Sequence, residues 1–263
     1  LDYKDKVVWI TGASSGIGEH LAYAFAGEGA KLILSSRNEK ELQRVRQNCR
    51  DSEEVMALPL DVTNYEAMED AVQLVLNRFD FINILVNNAG LGQRSYARET
   101  DFKVDKKLME VNFLGAVALT KAVLPAMTRQ QFGQIVVISS ILGMVSVPRR
   151  SAYAASKHAL HGYFDSLRAE LFDDNIKVTI ICPGYVHTNL PINALCADGS
   201  PNQRNDANRK GLEPAAFAQK AMQAIYKEKK EVYIGGFREV MAVYVKRWLP
   251  GLFFIIARRL RVS

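Results

Sequence analysis

Tyr153 and Lys157 stand four residues apart in SAYAASKHAL (151–160), a stretch that reads as the start of a helix. Residues at that spacing share a helical face. A free phenol titrates near 10, too high for easy proton exchange at neutral pH. An ammonium beside it in a poorly solvated cleft favours the phenolate, and bringing the phenol near neutrality takes about 4 kcal/mol, which such a charge can supply. Tyr153 is therefore expected to give and take a proton, with Lys157 lowering its pKa. Ser140, at the end of an apolar run, is expected to donate a hydrogen bond to the reacting oxygen. Ala154, Ala155 and Ser156 are small enough to let a second molecule lie close. Each feature alone is ordinary: a Tyr-x-x-x-Lys pair is common on surfaces, and a strand-end serine is commonly a cap.

A second constellation gives the pair a context. TGASSGIG (11–18) follows an apolar run directly and opens a helical pattern. Gly12 permits the turn, Gly16 lets the backbone approach a phosphate, and Gly18 lets the helix pack close; Ser14, Ser15 and Ile17 complete the loop. The exposed helix amides then face a pyrophosphate. The spacing differs from G-x-G-x-x-G, and no GK[ST] follows, which disfavours a nucleoside triphosphatase. The next apolar run ends at Ser35-Ser36-Arg37 without the carboxylate that would hold free ribose hydroxyls. Arg37 suits a 2′-phosphate and Ser36 leaves room for it, so NADP(H) is expected over NAD(H). Asp61, with Val62 after it, is placed to accept from an adenine amino group. Asn88, Ala89 and Gly90 end a further run where small residues allow close approach.

These residues need a scaffold. Strands are expected over 6–11, 31–36, 55–60, 82–90, 134–140, 177–184 and 231–236. Helices are expected over 18–27, 38–48, 65–78, 103–127 and 152–171. Strand and helix alternate, and the strands are almost continuously apolar. That pattern means a parallel sheet covered on both faces: a doubly wound α/β (Rossmann) fold of three layers in a single domain. Residues 1–240 form the cofactor domain with the reacting groups. The polar stretch 189–212 reads as a mobile lid over the site, and 241–263 as a basic, apolar tail of the same domain.

The chain has 263 residues, 48% of them hydrophobic, enough for one large core. Lys and Arg total 34 against 28 Asp and Glu, and five of the basic residues (Lys246, Arg247, Arg258, Arg259, Arg261) lie in a tail with no acid. The rest is nearly balanced, which argues against a nucleic-acid face. Cys49, Cys182 and Cys196 form no metal spacing and no disulfide framework, and Cys182 is expected to be a buried small residue. The opening DYKD resembles part of an epitope tag and is given no functional weight. In the tail, WLPGLFFIIA (248–257) is too short to span a bilayer of about 30 Å. Flanked by cations, it suits either a membrane surface or packing against the protein.

Together TGASSGIG, NNAG, Ser140, YAASK and PGYVHT resemble the short-chain dehydrogenases/reductases over about residues 6–236. The resemblance implies a hydride-transferring oxidoreductase with Tyr153 as acid/base and Ser140 orienting a carbonyl. It also implies that Lys157 binds the ribose, and that Asn112, in VNFLG, supports a proton-relay water. Pro183, Gly184, Val186 and Thr188 match the segment beside the nicotinamide amide. GQRS (92–95), ISSILGMVSVP (138–148) and YVKRWLPGLFF are similar to the member-seven group of the dehydrogenase/reductase SDR proteins, near the microsomal hydroxysteroid dehydrogenases. That narrower likeness implies a small lipophilic carbonyl or alcohol such as a steroid, retinoid or xenobiotic ketone. It also implies a homodimer or homotetramer built on the helices 103–127 and 152–171. Membrane association at the endoplasmic reticulum is expected if an anchor precedes Leu1, and a cytoplasmic location otherwise. The competing reading is a cofactor-binding, membrane-associated scaffold with little turnover.

Overall fold

The computed structural model describes residues 1–202 and 211–259. Its strands are β1 (Val7–Thr11), β2 (Lys31–Ser35), β3 (Val55–Ala57), β4 (Ile84–Asn87), β5 (Gly133–Ile138), β6 (Ile176–Pro183) and β7 (Glu231–Ile234). They form one parallel sheet in the order β3-β2-β1-β4-β5-β6-β7. The order reverses between β1 and β4, and the crevice outside the carboxyl ends at such a switch point is where ligands bind.

The helices are α1 (Gly16–Gly27), α2 (Glu39–Asn48), α3 (Met68–Phe79), α4 (Phe102–Met109), α5 (Gly115–Gln130), α6 (Ser151–Glu170), α7 (Pro214–Tyr226), α8 (Phe237–Trp248) and α9 (Pro250–Ala257). Side chains alternate across a strand, so β1 feeds two cores. Val8 and Ile10 join the layer under α1, α2 and α7, while Val7 and Trp9 join the layer under α3, α5, α6 and the tail. This is the expected Rossmann-type, three-layer arrangement.

Several boundaries differ from the sequence reading. The third strand ends at Ala57, short of the expected 60, although Leu58 and Leu60 still donate their N–H groups to the carbonyls of Leu34 and Ser36. The helix expected over 103–127 is three pieces: α4, a π-helical turn at Glu110–Leu114, and α5. The span Phe102–Gln130 is long and apolar enough to cross a membrane by length and composition. Here it gives Leu119, Val123 and Met127 to the core.

The stretch 189–212 is not uniformly loose. Ala194 and Leu195 are buried, and Leu195 pairs with Gln93 and Pro201. The part of the expected lid at 203–210 lies outside the described residues. The DYKD segment also carries structure: Tyr3 is buried against Phe25, and its hydroxyl donates to the Met222 carbonyl at 2.7 Å. In the tail, Phe253 and Ala257 join the core, whereas Trp248, Leu249, Leu252, Phe254, Ile255 and Ile256 are exposed. Packing and an outward apolar surface thus coexist on one short helical segment. On the two helices expected to pair subunits, Phe164 and Leu167 are spent in the core, while Val117 and Leu124 stay half-buried.

Candidate active site

The glycine turn is built tightly enough to explain its composition. Gly12 and Gly16 have φ of +63° and +58°, which side chains disfavour. A Cβ at Gly18 would sit 2.3 Å from the Gly12 carbonyl, so only glycine lets α1 close under the turn. Asn88 clasps the same turn from the next strand end, donating from its amide to the carbonyls of Thr11 (2.9 Å) and Gly12 (3.2 Å). The cradle leaves backbone N–H groups and the start of α1 facing open space, which fits a bound pyrophosphate.

That space is one cavity of about 1600 Å³, running from the ends of β1 and β2 past β4, β5 and β6. Every expected cofactor-binding residue lines it except Gly18, which lies beneath the turn. Ser140, Tyr153 and Lys157 line it as well. Asn112 does not, because it lies behind Gly90: its Oδ1 accepts from the Leu91 N–H (2.7 Å), and its Nδ2 donates to the Leu91 carbonyl and Ser156 Oγ (both 3.0 Å). A methyl added at Gly90 would meet Asn112 Oδ1 at 3.3 Å and Lys157 Nζ at 3.7 Å, so the two groups converge on that bare backbone. The π-helical turn that carries Asn112 is what aims it there.

Ala154, Ala155 and Ser156 are not among the described lining residues, contrary to the sequence reading. Ser156 is a tie instead, donating to the Tyr153 carbonyl at 2.8 Å. A second correction concerns the phenol. Burial raises the pKa of Tyr153, opposed by its hydrogen bond with Ser140 and by the positive charge of Arg150. Lys157 does not supply the expected lowering. Its ammonium is 5.9 Å from the ring centroid and donates to the Ile138 carbonyl at 2.8 Å. Burial also penalises that ammonium, bringing its pKa down to about 8 against a small opposing pull from Cys182. A dry cleft therefore weakens both charged forms, the phenolate as well as the ammonium.

At the nucleotide end, burial pushes Asp61 up, but two hydrogen bonds from Thr63 and the charges of Arg37 and Lys107 prevail and hold it below the ordinary range. Arg37 is exposed at the cavity rim beside Ser36. Glu39, at the start of α2, lines the same end, beyond the strand-end position at which a ribose-binding carboxylate is expected.

Three other side chains were missed. Arg150 lines the reacting end. Glu239, on α8, accepts from the N–H groups of Tyr185 (3.0 Å) and Gly236 (2.9 Å) and so clamps the Pro183–Tyr185 segment. Gln93 is fully buried beside the start of α6. The clamp by Glu239 gave no local signal because Tyr185 lies 54 residues away; Gln93 sits in the GQRS motif without an assigned role. Beyond Tyr153 the cavity wall turns apolar, with Leu142, Val145, Val147, Leu190, Pro191 and Ala242.

A glycine cradle at the switch point of a parallel sheet, opening onto a buried Ser-Tyr-Lys group, defines a nucleotide-dependent dehydrogenase. The family model described as short chain dehydrogenase matches residues 6–195, and the chain belongs to that family. It is an NAD(P)(H)-dependent oxidoreductase. It is 44% identical to Dehydrogenase/reductase SDR family member 7B of Mus musculus, over 98% of this chain and 82% of that protein. A short-chain dehydrogenase from Streptomyces avermitilis superposes with a TM-score of 0.80 at 30% identity, covering 96% of this chain and 94% of the other. An alcohol dehydrogenase from Thermococcus sibiricus, solved with 5-hydroxy-NADP, gives 0.75 at 27% identity over 89% and 97%.

Proposed function

We propose that the chain is an NADP(H)-dependent reductase of lipophilic ketones and aldehydes in which Tyr153 donates the proton. The carrying observation is that Ser140, Tyr153 and Lys157 line the same cavity as the glycine turn, where the glycine-lined arm meets the apolar wall. A bound nicotinamide supplies the hydride to the carbonyl carbon. Ser140 Oγ already accepts from the Leu142 N–H at 3.0 Å, which leaves its own proton to steady the oxygen as charge grows there. Tyr153 is held in its neutral form by burial, the form a general acid needs in the reducing direction. Lys157 spends one of its three N–H donors on Ile138 and keeps two for the ribose. Asn112, with both ends of its amide committed to protein, contributes by holding Leu91 and Ser156 in place.

Arg37 and Ser36 support preference for the 2′-phosphate, and the apolar wall supports a lipophilic substrate. The exposed apolar face of the tail, bordered by Arg247, Arg258 and Arg259, supports contact with an anionic membrane surface such as that of the endoplasmic reticulum. Half-buried Val117 and Leu124 support pairing of α5 in a homo-oligomer. The deciding experiment follows NADPH oxidation across hydrophobic ketones and aldehydes with wild type and Tyr153→Phe. The expected result is turnover that falls at least about a thousandfold in the variant while NADPH still binds. Equal rates in the two proteins would refute the assignment.

A further inference from the structure

We propose that Gln93 is a positioning residue for Tyr153, acting as the N-terminal cap of α6 from outside that helix. The first N–H groups of any helix lack partners within it. They are ordinarily met by the side chain at the cap position. In α6 that position holds Arg150, which makes no side-chain cap bond. Gln93 Oε1 takes the role, accepting from the N–H of Ala152 at 2.9 Å and of Tyr153 itself at 3.2 Å. Its own carbonyl accepts from the Arg150 guanidinium. Its Nε2 faces the hydroxyls of Ser95, Thr100 and Ser151, each at 3.4 Å. The N–H groups of Ala152 and Tyr153 fix which way round the amide sits, since the opposite orientation would set its NH2 against two donors.

The same residue is joined to the wall of the cavity. Leu195 donates its N–H to the Gly92 carbonyl at 2.9 Å, and Arg94 donates to the Leu195 carbonyl at 2.8 Å. The segment just before Leu195 supplies Asn189, Leu190, Pro191 and Asn193 to the cavity lining. Gln93 is therefore the joint between the segment that meets a substrate and the helix turn that carries the phenol. A displacement of 190–193 by a bound molecule reaches the Tyr153 backbone through one buried amide. Arg150 and Lys157 are the cations beside the phenol, and Arg94 is the buried cation next to Gln93. A carboxylate at 93 would keep the cap and oppose their pull.

This inference rests on the reading of Tyr153 as proton donor, and its test separates the two. Gln93→Leu removes the cap, and Gln93→Glu retains it with a negative charge. Each is prepared as the full chain saturated with NADP(H). The phenol is titrated by near-ultraviolet difference absorbance, read against the same protein carrying Tyr153→Phe. NADPH affinity, melting temperature and initial rates on a hydrophobic aldehyde are measured alongside. For Gln93→Leu, kcat is expected to fall about 10–100-fold with KM and NADPH affinity within about twofold. Gln93→Glu should recover most of kcat at its own optimum and raise the phenol's titration midpoint and the pH profile together. Should Gln93→Leu fail to fold, a raised midpoint in Gln93→Glu with NADPH binding intact supports the proposal. An unmoved midpoint in the Glu variant overturns it. So does a Leu variant whose kcat stays within about twofold of wild type, or one that loses NADPH affinity and melting temperature in step with kcat. If wild type turns over no carbonyl, the functional reading fails, and the midpoint in Gln93→Glu still decides the role of Gln93.

Discussion

Lys157 carries a thermodynamic cost that its position makes measurable. Its pKa is about 8 in the folded protein against 10.5 when exposed, so burial of the ammonium costs on the order of 3 kcal/mol at pH 7. The unfolded chain binds the extra proton between those two values, so stability rises with pH across that window. Lys157→Met removes the charge and forfeits the bond to Ile138, worth about 1 kcal/mol. The cofactor-free variant is expected to be about 2 kcal/mol more stable than wild type at pH 7. That advantage should shrink above pH 8, as thermal melts at several pH values would register. A variant less stable than wild type at pH 7 would contradict the argument. At the other end of the cavity, Ser36→Asp sets a carboxylate beside the site ascribed to the 2′-phosphate. NADPH affinity should fall at least about tenfold while NADH binding holds or improves. Titration of both nucleotides checks this, and unchanged NADPH binding would show that Arg37 does not read the phosphate.

Elements were legible wherever one strand or helix sufficed to carry the signal. TGASSGIG announced a strand, a turn and a helix, and all three are present. Gly18→Ala tests how tightly that unit is made. Its Cβ would lie 2.3 Å from the Gly12 carbonyl, so the turn must shift. A loss of about 1–3 kcal/mol in stability is expected, with a clear drop in nucleotide affinity by fluorescence titration. A protein that melts and binds like wild type would mean that the turn can yield. The π-helical turn at Glu110–Leu114 was not legible, because its residues continue the apolar period of an ordinary helix. What marks it is the partner of Asn112, a loop backbone brought there by another strand. The phenol was misjudged for a related reason. Residue spacing revealed that Lys157 shares a helix with Tyr153, but only packing revealed how dry the cleft is and that Arg150 is the opposing charge.

The tail shows the same limit for the whole molecule. Its composition allowed both a membrane surface and internal packing, and the fold divides the residues between them. Phe253→Ala should cost about 3–5 kcal/mol of stability, since the ring is buried. Replacing exposed Trp248, Leu252 and Phe254 with serine should leave the melting temperature nearly unchanged while reducing flotation with anionic vesicles. If the triple variant floats as well as wild type but sediments as a smaller species, that face is a subunit contact instead. The clamp by Glu239 belongs here too. It could not be foreseen because the helix that carries it gains meaning only when the last strand has set it against the end of β6.

The bond from Tyr3 to the Met222 carbonyl links residues 219 apart, at opposite ends of the numbering. On a ribosome adding about 5–20 residues per second, the acceptor is made roughly 10–45 s after the donor. Throughout that interval Tyr3 has no native acceptor, and β1, the strand around which the sheet is ordered, lacks part of the layer that α7 provides. The newborn chain must therefore wait, sheltered or soluble in a partly assembled form, until α7 has emerged.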